Sequence, residues 1–198
     1  MATLVLGAAG AAIGGSIGGA ILGVSAATIG GLGLTGVITK ATLQLRRVPG
    51  PWMEVENIRF DSLGDFFALS RESARSHEYA VAWIDCLARG RSRGRGHFTR
   101  ADHASALEAD TGPTVQRQRS MPITPPVSLV NRLTLRPFNQ LYYWRQPARR
   151  RRSTSHLLPF FYPLDGIRHW NRMYGPQGSL QYQCIIPPSE AEAGIAKL

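Results

Sequence analysis

Lysine is nearly absent from this chain: Lys40 and Lys197 are the two lysines among 23 basic side chains, and arginine supplies the rest. Such a bias follows the base composition of coding DNA as readily as it follows a ligand. The net charge of +10 is therefore no evidence for nucleic-acid binding, and no nucleic-acid partner is expected. Cysteine is scarce too. Cys86 and Cys184 provide neither a disulfide framework nor zinc-ligand spacing, so a reducing, cytoplasmic setting is expected and no metal site. Charge of either sign is missing from residues 1–39, where eleven of the 21 glycines lie. Two compositions are thus joined in one chain. With 43% apolar residues in 198, wholesale disorder is excluded and one or two modest domains are expected.

The charge-free stretch exceeds the ~20 apolar residues that a bilayer span requires. Gly10, Gly14 and Gly18 recur every fourth residue, and Gly15, Gly19 and Gly23 repeat the pattern one position on. On a helix this spacing makes a flat groove where a second backbone approaches closely. The competing reading is a flexible Ala/Gly leader, since each helical glycine costs roughly 1 kcal/mol relative to alanine. No basic residue precedes the run, which argues against a secretory signal. Residues 1–25 resemble the glycine-zipper start of tail proteins from phages and gene-transfer particles. Membrane association and self-association through this leader are the expectations that go with that reading.

Ile29 to Val48 reads as a glycine cluster followed by a half-buried strand, with Ala41, Leu43 and Leu45 on one face and Thr42, Gln44 and Arg46 on the other. Gly30, Gly31, Gly33 and Gly36 permit close approach of the backbone to a ligand. A dinucleotide fingerprint would place its strand before the glycines and a helix after them, the reverse of the order here.

Beyond Pro49 the chain reads as a mixed α+β module. Asp61 and Ser62 are positioned to cap a helix running to about Arg75, with Leu63, Phe66, Phe67 and Ala74 as its apolar side. Glu78 to Leu87 alternates as a strand, with Tyr79, Val81, Trp83 and Asp85 opposite Ala80, Ala82, Ile84 and Cys86. Residues 89–126, Gly/Arg-rich and then polar, read as one or two long exposed loops. Tyr142 to Trp144 reads as a strand, and Arg149 to Arg152 as a solvated loop whose alternative role is phosphate contact. Leu180 to Ile186 is a clear alternating strand that projects Gln181 and Gln183 to one side, where two amides could hydrogen-bond a hydroxylated ligand or a ring edge.

Three segments carry a family resemblance: ATIGGLGLTGVITKATLQL from Ala26, AWID at Ala82–Asp85, and FFYPLDGIRHWNRMYGPQGSLQYQCIIP from Phe160. Together they resemble the FAD-linked oxidases of the vanillyl-alcohol-oxidase superfamily. The resemblance implies a partial α+β oxidase fold, mostly an antiparallel-sheet substrate domain with flanking helices and cut at both ends. Its divisions would be a leader (1–25), the terminal turn and strand of an FAD domain (26–48) and an incomplete substrate domain (49–198). It implies FAD as cofactor, with Gly30, Gly31, Gly36, Ile38 and Gln183 on the cofactor side, and Trp83, Phe161, Gln181 and Gln183 in the substrate pocket. Phe161 stands where the family has a tyrosine, and Pro163–Gly178 matches a mobile loop over the pocket mouth. The implied reaction is hydride transfer from a secondary alcohol, such as one on a glycosyl phosphate lipid, to flavin, with an external electron acceptor. No catalytic residue is assigned. On this reading the chain lacks most cofactor contacts and is inactive alone. The alternative is a membrane-associated or self-associating glycine-zipper protein with basic loops and no catalysis.

Overall fold

The computed structural model describes residues 34, 36, 37, 39, 40, 45, 47–105, 118–180 and 186–197. The chain divides into two units between Val48 and Pro49. In the amino-terminal unit, Leu34, Val37 and Leu45 are 88%, 85% and 87% exposed, and no described residue there is in a strand. The half-buried strand expected around Leu45 is therefore not formed at that residue. Its other inward positions, and the leader, lie outside the described residues. Among the described residues no helix is long and apolar enough to cross a membrane.

The second unit is a mixed helix and antiparallel-sheet structure. Strand β1 (Trp52–Phe60) leads to helix α1 (Leu63–Ser76), strand β2 (Tyr79–Ile84) and strand β3 (Gly96–His103). A two-residue strand β4 (Arg119–Ser120), helix α2 (Arg132–Trp144), strand β5 (Arg150–His156) and short helix α3 (Leu157–Phe161) follow. The two-residue β6 (Ile167–Arg168) pairs in parallel with β4, and α4 spans Ala191–Lys197. The main sheet has the order β2-β3-β1-β5, antiparallel throughout. That is the order of a split βαβ arrangement.

Pleating divides the sheet into two faces. One carries Ile58, Phe60, Ala82, Ile84 and Phe98, which bury against Phe66, Phe67 and Leu69 of α1. Helix α1 starts as the sequence implies, with the Ser62 hydroxyl accepting from the Asp65 amide at 3.2 Å. Its inward stripe differs in one respect: Ser73 is buried and Ala74 exposed. Ser73 faces the sheet because a polar group waits there, the guanidinium of Arg100, 3.3 Å from its hydroxyl.

Three sequence expectations are corrected. Residues 96–103, expected within a loop, form β3, a central strand with neighbours on both sides. Its first residue, Gly96, serves packing: a Cβ there would sit 2.0 Å from the Trp83 carbonyl oxygen and 2.7 Å from the Phe60 ring. Tyr142 to Trp144 ends a helix instead of forming a strand. Asn131 caps α2 by accepting from the Leu133 and Thr134 amides, while its own amide donates to the Thr134 hydroxyl at 3.3 Å. Leu135, Asn139, Tyr142 and Tyr143 then share the less exposed side of the helix, so helical period overrides the β-propensity of three aromatics. Finally, the arginine cluster lies largely in β5, an edge strand paired to β1 from Arg150↔Ile58 to His156↔Trp52. Charged side chains are what an exposed edge tolerates best.

Candidate functional site

The second face of the main sheet carries the residues of interest. Along β2 it presents Tyr79, Val81 and Trp83, along β3 His97, Thr99, Ala101 and His103, and along β1 Met53, Val55, Asn57 and Arg59. Helix α2 covers one end of this face and α3 the other.

At the α2 end, Trp83 packs edge-on against Tyr142, ring centroids 4.7 Å apart, and lies 6.0 Å from His97. The His97 ring completes the triangle with Tyr142 at 5.6 Å, and its Nε2 lies 3.1 Å from the Tyr142 carbonyl oxygen. Burial lowers the His97 pKa, outweighing that carbonyl, so the imidazole is neutral at pH 7. The end of β2 is held by Asp85, 2% exposed, which accepts from Arg95 at 3.0 and 3.1 Å and from Asn139 of α2 at 2.7 Å. This anchor fixes the wall on which Trp83 stands.

At the α3 end, Phe161 meets Tyr79 at 5.0 Å and Phe160 at 4.9 Å, all edge-to-face. The Tyr79 hydroxyl lies 3.3 Å from His103 Nε2. Between the two ends, the Thr99 hydroxyl donates to Asn57 Oδ1 at 2.6 Å, a polar contact between the two aromatic clusters.

Of the residues assigned by resemblance, Trp83 and Phe161 therefore lie over the same face. They do not touch: Trp83 is four residues along β2 from Tyr79, about 13 Å at strand rise. Gly36 is exposed and belongs to the other unit. Gly30, Gly31, Ile38, Gln181 and Gln183 lie outside the described residues. Pro163–Gly178 forms short turns tied to residues 118–130: Arg172 Nη1 donates to the Met121 and Pro122 carbonyls at 2.9 Å each, and the Leu129 amide donates to Met173 at 2.9 Å. The sequence reasoning missed His97, Thr99 and Tyr142. For the first two the available signal was the alternation of His97, Thr99 and Ala101 with Phe98 and Arg100, obscured by a charged residue at an inward position. Among the described residues no three His, Cys, Asp or Glu side chains are placed to hold a metal ion.

No family model matches the chain. It is 31% identical over 174 residues to the decaprenylphosphoryl-β-D-ribose oxidase of Mycolicibacterium smegmatis, covering 84% of this chain and 38% of that protein. It is also 37% identical over 175 residues to an uncharacterized protein in the mprA 5′ region of Streptomyces coelicolor, covering 81% of this chain and 47% of that protein. The similarity runs along most of the chain. The chain spans less than half the length of either relative.

Proposed function

We propose that this chain represents part of an FAD-linked oxidase, an oxidoreductase acting on a sugar or other secondary alcohol. The observation that carries the reading is the similarity to an oxidase over 84% of the chain. The resemblance of the PLD…WNRMYGP…LQYQ segment supports it, as does the shared face of Trp83 and Phe161. FAD would supply the acceptor for the hydride of the carbinol C–H.

The described residues suit one part of that task. A half-buried tryptophan and a tyrosine, backed by the buried neutral His97, make a wall against which a sugar or planar ring can pack, and Asn57 and Thr99 offer polar contacts beside it. Gly94 of this unit forms no cradle for a diphosphate. At Gly94, with φ of +73°, the space for a Cβ is already filled by Leu63 at 2.9 Å. The protein's own role in this unit is therefore to place and orient the alcohol, with Trp83 packing against it and water excluded by the aromatic surround. By the family resemblance, nucleotide contacts would fall to Gly30, Gly31, Gly36, Ile38 and Gln183, and to parts of the relatives' length outside the matched stretch.

The test uses two samples. The chain mixed with FAD and passed through gel filtration is expected to emerge colourless. Co-expressed with a polypeptide supplying the remaining length of the Mycolicibacterium relative, it is expected to retain flavin that bleaches anaerobically on adding a glycosyl phosphate substrate. A Trp83→Ala variant should keep the flavin and lose the bleaching. Stoichiometric flavin on the chain alone would overturn the partial-oxidase reading, and a flavin-loaded assembly that no secondary alcohol bleaches would overturn the oxidoreductase.

A further inference from the structure

On the same sheet face as Trp83, at the opposite edge of the sheet, lies an open basin of about 440 Å³ lined by Asn57, Arg145, Gln146, Arg151 and Ser153. Its position is set by the fold. Asn57 and Arg151 are register partners across β1 and β5, and Ser153 follows on the same face. Arg145 and Gln146 come from the turn that joins α2 to β5. The carboxylates of β1, Glu54 and Glu56, alternate onto the other face, which leaves the basin without an acidic side chain.

The hydrogen-bonding capacity of the lining is lopsided. Gln146 is buried and spends its amide N–H groups on the Asn57 and Ala148 carbonyls at 3.0 Å each. Asn57 accepts through Oδ1 from Thr99, which turns its Nδ2 donor away from that bond. Arg145 is held against the Tyr142 ring at 4.1 Å, and no carboxylate among the described residues pairs with Arg145 or Arg151. Two arginines, an amide donor and the Ser153 hydroxyl thus line the basin without a counter-anion. Planar guanidinium forks match the oxygens of a phosphate.

We propose that this basin is a binding site for a phosphate group, carried as a mono- or diphosphate on a ligand. Exposed arginines with no acidic neighbour in the lining make the basin electropositive. The volume accommodates a diphosphate and the first atoms of what it carries. The basin lies on the Trp83 face, three strand spacings of about 4.8 Å from β2. The inference stands on the lining of the basin and does not require the oxidase reading.

The test uses the full chain at low ionic strength, titrated calorimetrically with inorganic pyrophosphate, and in a second arm sedimented with phosphatidylcholine vesicles containing phosphatidic acid. Substituting Arg145→Gln together with Arg151→Gln is expected to weaken binding at least roughly tenfold. Removing the same charge from exposed positions of α2 outside the basin, Arg132→Gln with Arg136→Gln, should change it less than about twofold, as expected of a screened distant charge. Ser153→Asp, which places a carboxylate in the basin on an exposed strand position, should abolish it. Pyrophosphate binding with this pattern identifies a soluble phosphate ligand. Vesicle binding with the same pattern and no pyrophosphate heat identifies a lipid-borne one, and the site stands in either case. Absence of binding in both arms, or equal losses in the two double variants, overturns the proposal.

Discussion

Arg100 of β3 and Glu56 of β1 form a buried ion pair, Nη2 to Oε2 2.6 Å, with side chains 6% and 8% exposed. They face each other in register across the two central strands, beneath α1. Glu72 at 2.8 Å and Ser73 at 3.3 Å reach Arg100 from α1, and Arg152 reaches Glu56 from the edge strand at 3.1 Å. One polar cluster therefore ties three strands and a helix. Removing one partner leaves the other charge desolvated and under-paired.

Arg100→Met should accordingly destabilise the second unit by about 3–5 kcal/mol, while Arg100→Met combined with Glu56→Leu should recover most of the loss. Urea unfolding of the three proteins checks this. A double variant as unstable as the single one would show that strand pairing, and not the stranded carboxylate, carries the cost.

Acid should weaken the same cluster. Burial alone would raise the Glu56 carboxyl, but hydrogen bonds from Arg100 and Arg152 outweigh it and hold it below its ordinary value of 4.5. The folded state thus binds the proton less readily than the unfolded chain, so this stabilisation is present above pH 4.5 and fades as pH falls through the folded pKa. Thermal unfolding between pH 6 and 3 should show the loss, and Glu56→Gln should flatten the dependence.

His97 acts in a higher window. Its pKa is lowered from 6.5 by burial, so below that pH the unfolded chain takes up a proton that the folded ring refuses. Stability should decline as pH falls from 6.5 toward the folded pKa. The His97 imidazole resonances of the folded protein should titrate below 6.5, and His97→Asn should reduce the slope in that interval.

Tyr143 sets the alkaline limit. Burial, reinforced by the hydrogen bond from its hydroxyl to Asp61, pushes its pKa up to about 12. A phenol raised in the fold favours the folded state below its ordinary 10 and loses that advantage as pH rises from 10 through 12. Tyr143→Phe should cost about 1–3 kcal/mol at neutral pH and leave a smaller decline above pH 10, measured by denaturant unfolding across that range.

Gly96→Ala should lower stability by about 1–3 kcal/mol or more, because the added methyl meets the Trp83 carbonyl at 2.0 Å, backbone that moves only by opening β2 from β3. Since the displaced residue is Trp83, tryptophan fluorescence should shift with the loss.

Much of the α1 half was readable without coordinates. Ser62 followed by an acidic first turn and paired phenylalanines is a local signal, and the alternation of Tyr79, Val81 and Trp83 sorts correctly onto one face. Strand β3 was hidden because Arg100 occupies an inward position, and inward arginine breaks the apolar period on which strand recognition rests. Helix α2 was hidden because Tyr142, Tyr143 and Trp144 favour strands in isolation.

By itself the sequence determined the split composition, the α+β class, the capped first helix and the resemblance to FAD-linked oxidases. Local rules suffice for these, because caps and periodicities act within a few residues. Only the tertiary structure decided that the arginine run is an edge strand, that Glu56 pairs with both Arg100 and Arg152, and that Asn57, Arg145 and Arg151 share one basin. The physical reason is that a charge is read as solvated until its partner is known. Here those partners lie 44 and 96 residues away in the chain.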